Sequence, residues 1–336
     1  MGGLADLAEL VRAPAALSVP GDLVAGASAA GAITPATGVL SAASVCFYWA
    51  GMAANDWADR DLDAVERPER PIPSGRVRPG TAFGLAAGLT GAGLALTAAA
   101  GGRRSLAVAL PLAATIWAYD LRTKNTPAGP AVMAACRALD VLLGATATPG
   151  RAASAAPGAA RRSLWRALPA AAAVAAHTYT VTELSRREVS GATPALPAAT
   201  LAATGVLGAT IAGSAGRAGR AGRAGRAGRP APSAGTGASG APIAGSGGRR
   251  AERLVVRTAV VGALVGQYLA GYGSAQVRAL TSPAPGPIRA AVGAGITGLP
   301  ALQGALTARA GATLAGLAVA AAAPLARMLA RKVSPT

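Results

Sequence analysis

Aromatic residues, cysteine, histidine and negative charge are all scarce in this 336-residue chain. Phe, Trp and Tyr make up 3%, so the apolar content rests on Ala, Val and Leu. The two cysteines, Cys46 and Cys136, lie apart in apolar segments. That spacing gives neither a CxxC metal signature nor a disulfide framework, and both read as small core residues. With His177 as the one histidine, there is no HExxH pair; a Ser/His/Asp set, a P-loop and a GxGxxG unit are absent as well. Charged residues are 14% of the chain, well below the roughly 25% of soluble domains. The apolar windows lack the charged stripe of a surface helix, which argues against a soluble α-rich enzyme.

What is present is apolar length. The chain is 52% hydrophobic, has 45 Gly and a mean hydropathy of +0.40. Stretches of about 18 to 22 apolar residues recur, long enough to cross a hydrocarbon core as helices. Candidate spans are 13–31, 36–54, 81–101, 104–119, 128–149, 163–184, 194–213, 254–272, 286–308 and 311–331. The weakest is 286–308, which carries Pro300 and Gln303 and reads as tilted, broken or half-buried. About nine membrane helices are therefore expected, ten if that segment also crosses. Residues 1–12 are short and mixed, and the run after them reads as a retained first span rather than a cleaved signal.

The formal charge of +18 invites a nucleic-acid partner, but its placement points to a lipid surface instead. Eight of the 32 basic residues fall in 213–253, where an AGR triplet repeats before Ser, Gly and Pro take over. With no apolar face to bury, that segment is expected to be a disordered insertion in a single transmembrane domain covering 1–336. Connections after the second, fourth and sixth spans all carry basic residues and share one side if spans alternate. The positive-inside rule puts them, with the N-terminus, in the cytoplasm. Arg161, Arg162 and the AGR repeat fall on the other side and run against it.

Six of the fourteen acids crowd into one connection, "NDWADRDLDAVERPERPIPSGRV", from Asn55 to Val77. Continued as helix from the second span, it places Asn55, Asp59 and Asp63 at i, i+4 and i+8, on one face, with about 40° between neighbours. Three oxygen-bearing side chains in that arrangement suit a hard cation such as Mg²⁺ bridging phosphate oxygens. Asp56 and Asp61 are expected to point elsewhere. Arg60, Arg67, Arg70 and Arg76 follow, and carboxylate-held metal plus guanidinium makes a diphosphate clamp.

This stretch resembles the first signature of the UbiA-type membrane prenyltransferases, NDxxDxxxD followed by a basic-Pro-Leu/Ile-Pro-Ser-Gly segment. Asn55, Asp56, Asp59 and Asp63 match the acidic part, and Arg70 to Gly75 the sequel. The resemblance implies an all-α polytopic bundle of about nine transmembrane helices that moves a polyprenyl group from its diphosphate to an acceptor, with Mg²⁺, at the cytoplasmic face. A second motif, usually DxxxD, follows the sixth span in that family. Here the chain departs from it and reads "HTYTVTELSRREVSG", similar to an EboC-like bacterial side-branch. Glu183 and Glu188 stand in the place of its acids, five apart, and either complete a second metal site or leave the diphosphate to Arg186 and Arg187.

In "YDLRTKN", Tyr119, Arg122 and Lys124 match the family's Tyr and basic pair, with Lys124 assigned to the diphosphate. Arg137 and Asp140, within a span, read as an internal ion pair or as the wall of an acceptor pocket. His177 and Tyr179 precede the second motif, and His177 reads either as a group near the acceptor or as a satisfied polar group in the bundle.

The reading is an integral membrane prenyltransferase that uses Mg²⁺, a prenyl diphosphate and an unidentified acceptor. Its expected site joins Asp59, Asp63, Arg70 and Lys124 as catalytic groups to metal ligands from Asn55, Asp59, Asp63, Glu183 and Glu188. Arg67, Tyr119, Arg122, Arg137, His177, Tyr179, Arg186 and Arg187 would bind substrate. Transfer of phosphoribose or sugar phosphate onto a polyprenyl phosphate, and a non-catalytic transporter or scaffold, are the alternatives.

Overall fold

Proline starts most of the long helices. It occupies a first-turn position in α2 (Pro20–Ala30), α3 (Pro35–Ala58), α5 (Pro79–Ala118), α6 (Gly129–Gly144) and α11 (Pro285–Arg309). There its missing N–H costs nothing and its fixed φ suits the helix. The computed structural model describes residues 3–31, 33–147, 158–227 and 246–322. Among them there is no strand, and the chain is an all-α bundle. The remaining helices are α1 (Leu4–Leu10), α4 (Arg60–Glu66), α7 (Ala159–Ser185), α8 (Ala195–Ala227), α9 (Ser246–Tyr268), α10 (Ser274–Thr281) and α12 (Thr313–Ala322).

Among the described residues, four helical stretches are long and apolar enough to cross a membrane: Pro35–Ala58, Pro79–Thr123, Ala195–Gly213 and Arg249–Thr281. The second is two crossings. A straight helix of its length would measure roughly 65 Å, about twice a hydrocarbon core. Gly102 breaks it with φ 60° and ψ −149°, a conformation open to glycine alone. The halves then lie side by side. The Phe83 and Trp117 ring centroids are 6.0 Å apart, and Trp117 Nε1 donates to Thr90 Oγ1 at 3.1 Å. Both halves pack on α3 through Phe47, Ala53, Ala82 and Leu112.

The first expected span appears as a 3₁₀ stretch, Ala13–Ser18, running into α2. Together they reach about 28 Å. The segment 286–308, expected to be the weakest, is one helix that continues through Pro300, and its residues 299–308 are all buried. Its low hydropathy reflects a helix packed inside the bundle. Gln303, which weakened it as a lipid-facing span, is fully buried and donates to Asp22 Oδ1 at 2.6 Å and Ser18 O at 3.1 Å. The helix α8 carries its backbone through 213–227, and α9 resumes at Ser246. The middle of the expected insertion, 228–245, and the end of the last expected span, 323–331, lie outside the described residues.

Where α2 crosses α6, backbone meets backbone. A Cβ on Gly26 would collide with Val141 O, and one on Gly144 with Leu23 O. Small residues permit such close approach where lipid offers no hydrophobic drive. The approach also brings Arg137 Nε to Asp22 Oδ2 at 2.9 Å, while Ser44 Oγ donates to Asp140 at 2.6 and 2.7 Å. Arg137 thus pairs across to α2, and Asp140 is held by α3 rather than by its own neighbour on α6.

A small core at one end positions the site. Leu10, Val11, Ile72 and Val77 are buried against Ala53 and Ala54 of α3 and Ala82 and Ala86 of α5. The apolar residues flanking the "RPIPSG" segment therefore fold it back over the end of α3. Arg76 fastens α1 to the same segment, reaching Asp6 Oδ1 at 2.7 Å, Glu9 Oε2 at 2.7 Å and Glu69 O at 2.8 Å.

Candidate active site

The acidic stretch leaves the bundle at the end of α3. Asp59, with φ −89° and ψ 3°, interrupts the helix, and α4 begins at the next residue. The i to i+4 ladder nevertheless survives. Asp59 N donates to Asn55 O at 3.0 Å, Asp63 N to Asp59 O at 2.8 Å and Arg67 N to Asp63 O at 2.8 Å. Asn55, Asp59, Asp63 and Arg67 are thus successive rungs of one stack.

Asn55 and Asp59 meet partners from the loop after α5, and Asp63 meets arginines of its own connection. Asn55 Nδ2 donates to Asp120 Oδ1 at 3.2 Å. Lys124 Nζ lies 2.7 Å from Asp59 Oδ1. Arg70 Nη1 lies 2.6 Å from Asp63 Oδ2, and Arg67 Nη1 is 3.6 Å from Asp63 Oδ1. Asp63 is almost fully buried under these two guanidinium groups. Asp61 is exposed and reaches only its neighbour Arg60, whose guanidinium sits over the Trp57 ring at 5.3 Å.

Asp56, expected to point elsewhere than the stack, turns inward. It is buried, with Arg12 Nη2 at 3.1 Å and Arg70 Nη1 at 3.4 Å from Oδ1. The reason is the folded-back "RPIPSG" segment together with the N-terminal strap, which cover the side of α3 that a bare helix would leave to solvent. Arg12 reaches Asp56 from a left-handed backbone, φ 48° and ψ 50°. Among the described residues it is the one non-glycine with positive φ, a conformation that costs about 1–3 kcal/mol and persists where its surroundings hold it.

A basic wall stands beside the acidic stack. Arg186 Nη1 donates to Thr126 O at 2.9 Å and Lys124 O at 3.2 Å, joining the loop after α7 to the loop after α5. Lys124, Asn125, Arg186 and Arg187 line a cavity of about 290 Å³. Tyr119 lies within electrostatic reach of Arg186, and Arg122 is exposed. Lys124 therefore faces both an acidic face and a cationic pocket. The connections after α4, α5 and α7 meet at one end of the bundle.

Other expected residues lie apart. His177 is fully buried, its Nδ1 2.9 Å from Tyr268 OH and its ring 5.2 Å from that of Tyr272. Tyr272 OH donates in turn to Thr180 Oγ1 at 3.0 Å. This is a packed aromatic cluster between α7 and α9. Tyr179 and Glu183, one turn apart on α7, lie within electrostatic reach of each other. Glu188 faces Arg289; burial pushes its carboxyl above the usual range, and the guanidinium partly offsets this. Among the described residues no three His, Cys, Asp or Glu side chains converge as a metal-holding group. Glu183 and Glu188, each with its own partner, do not join the first-motif acids.

Two residues of the site were not singled out from sequence. Arg12 is the one basic residue in the first 59, and Asp120 the one acid between Glu69 and Asp140. A lone charge at the end of an apolar run was the available signal.

The chain resembles digeranylgeranylglyceryl phosphate synthase of Methanopyrus kandleri, at 40% identity over 113 residues, 32% of this chain and 38% of that protein. It also resembles protoheme IX farnesyltransferase of Roseobacter denitrificans, at 48% identity over 69 residues, 18% of this chain and 22% of that protein. The matched region thus spans well under half the length of these relatives. In fold, the structure of a UbiA homolog from Aeropyrum pernix K1 superposes with a TM-score of 0.54 at 20% identity, covering 87% of this chain and 96% of that one. The profile of the UbiA prenyltransferase family matches residues 18–185, which take in the acidic stack, the Lys124 loop and all of α7. With half of its length matched by that profile, the chain belongs to the UbiA prenyltransferase family.

Proposed function

We propose that this protein is a Mg²⁺-dependent membrane prenyltransferase, moving a prenyl or polyprenyl group from its diphosphate to an acceptor. The observation that carries the reading is the meeting of the acidic stack with the Lys124–Arg186–Arg187 cavity. A diphosphate carries two or more negative charges and needs cations on several sides. The lysine and two arginines present them in one pocket, and guanidinium forks suit phosphate oxygens.

The donors Asn55, Asp59 and Asp63 are of the kind a hard cation takes, an amide oxygen and two carboxylates on one face. In the structure their charge is balanced by Lys124, Arg67 and Arg70. They fit Mg²⁺ in chemistry, and these three residues would hold it. Bound there, Mg²⁺ would supply charge neutralisation for the diphosphate oxygens. A second metal finds less support, since Glu183 and Glu188 are engaged elsewhere.

Lys124, Arg186 and Arg187 would hold the leaving diphosphate and stabilise the charge it gains as the allylic C–O bond breaks. Apolar helix walls would keep water from the carbocation until the acceptor nucleophile captures it. The arginines and lysine of the three joined loops favour a cytoplasmic position for this end, by the positive-inside rule. Incubating the purified protein with labelled prenyl diphosphates and a membrane extract tests the function. A labelled lipid whose formation requires Mg²⁺ is expected. Absence of transfer from every chain length, in a folded preparation, would refute the reading.

A further inference from the structure

The turn Tyr119–Thr123 after α5 is wider than an α-turn: Lys124 N donates to Tyr119 O, five residues back. Such π-turns inside helical segments concentrate at functional sites. Here the turn aims two side chains, four residues apart, at two consecutive rungs of the acidic stack. Lys124 takes Asp59, and Asp120 takes Asn55. Asp120 is 4% exposed. Glycine at 51, one turn before Asn55, leaves room for it, since a Cβ there would come within 3.3 Å of Asp120 Oδ2.

An amide has two unlike ends of nearly the same shape, and only its oxygen can bind a metal. A carboxylate accepts hydrogen bonds and donates none, so it selects the nitrogen end. We propose that Asp120 is a positioning residue for Asn55: by holding the amide nitrogen at 3.2 Å it commits the amide oxygen to the acidic face that Asn55 shares with Asp59. Groups that orient a ligand from behind govern metal affinity without touching the metal. A hydroxyl at position 120 could accept or donate, and would leave the amide free to turn. A carboxylate, unlike the protonated acid, allows one orientation, although it places a further negative charge near Asp59. The inference rests on the reading of Asn55 as a metal ligand.

The test uses Mn²⁺ as the probe, titrated into the detergent-purified full chain and followed by electron paramagnetic resonance, with Tm recorded for each variant. Asp120→Ala should weaken Mn²⁺ binding by about ten- to a hundredfold. Asp120→Asn keeps the shape but offers an NH2 as well as an oxygen, so it leaves the Asn55 amide free to turn and should also weaken binding at least several-fold. Affinity unchanged in either variant overturns the proposal. Should the alanine variant fail to fold, Asp120→Asn decides alone, because it keeps the shape of the side chain. If the parent protein binds no Mn²⁺, the metal reading itself falls and this proposal with it. An unaffected Asp120→Ala in a parent that does bind Mn²⁺ removes only the positioning role.

Discussion

Lys124 serves two partners, and its replacement separates them. The ammonium neutralises Asp59 at 2.7 Å, and the residue also lines the cavity with Arg186 and Arg187. Lys124→Met keeps the length and removes the charge, so binding of a prenyl diphosphate should fall by more than about tenfold, given the 1.5–3 kcal/mol typical of hydrogen bonds to charged groups. Isothermal titration would show it, and an unchanged Kd would remove Lys124 from the diphosphate site. Acid should act on a different contact. Arg76 beside Asp6 holds that carboxyl below its ordinary value of 3.8. A lowered folded-state value means that the contact stabilises the fold above the ordinary value and is lost as pH falls through the lowered one. The strap of α1 should therefore loosen only below about pH 4, and Asp6→Asn should remove that step from an acid titration followed by proteolysis near the N-terminus. At this scale the sequence disclosed types better than directions. The i, i+4, i+8 rungs were legible because helical pitch alone sets them. The burial of Asp56 was not, because the residues that cover it, Arg12 and Arg70, arrive from other segments.

Among the elements, α5 shows what a hydropathy pattern contains. The two spans expected at 81–101 and 104–119 exist as halves of a hairpin, because "AGGRRS" interrupts the apolar run where Gly102 turns the chain. A Cβ at Gly102 would meet open space, so Gly102→Ala tests backbone strain rather than a clash. It should destabilise the protein by about 1–3 kcal/mol, seen as a lower Tm in detergent, and an unchanged Tm would mean that the turn tolerates other residues. The first span was legible in place but not in kind, since it starts as a 3₁₀ stretch at Ala13–Ser18. The segment 286–308, read as tilted, broken or half-buried, is an unbroken helix whose second half is buried. Its Gln303 is polar because it serves Asp22 and Ser18, a partnership across some 280 residues that no local pattern displays. His177 belongs to the same class, since its tyrosine partners lie about 90 residues further on.

For the whole molecule, the three loops that meet at Lys124 predict a common face. In a protein lacking Cys46 and Cys136, single cysteines at Ala58, Asn125 and Ser190 should all react with an impermeant maleimide from the cytoplasmic side. Reaction of any one from the opposite side alone would take the site apart. We further propose that 213–253 is an insertion in one transmembrane domain, so deletion of 217–247 should leave the protein folded and able to bind a diphosphate. The central claim is that the carboxylates are gathered at the end of α3 to hold Mg²⁺ against a diphosphate. Mg²⁺-dependent binding of a prenyl diphosphate to Asp59→Asn and Asp61→Asn tests it most directly. The two changes are chemically identical, but Asp59 faces Lys124 on the stack and Asp61 is exposed. Asp59→Asn should weaken binding by about 3 kcal/mol, more than a hundredfold, with Asp61→Asn within about twofold of the parent. Equal and small effects of both would mean that the acidic stretch serves its ion pairs and holds no metal, and would contradict the account.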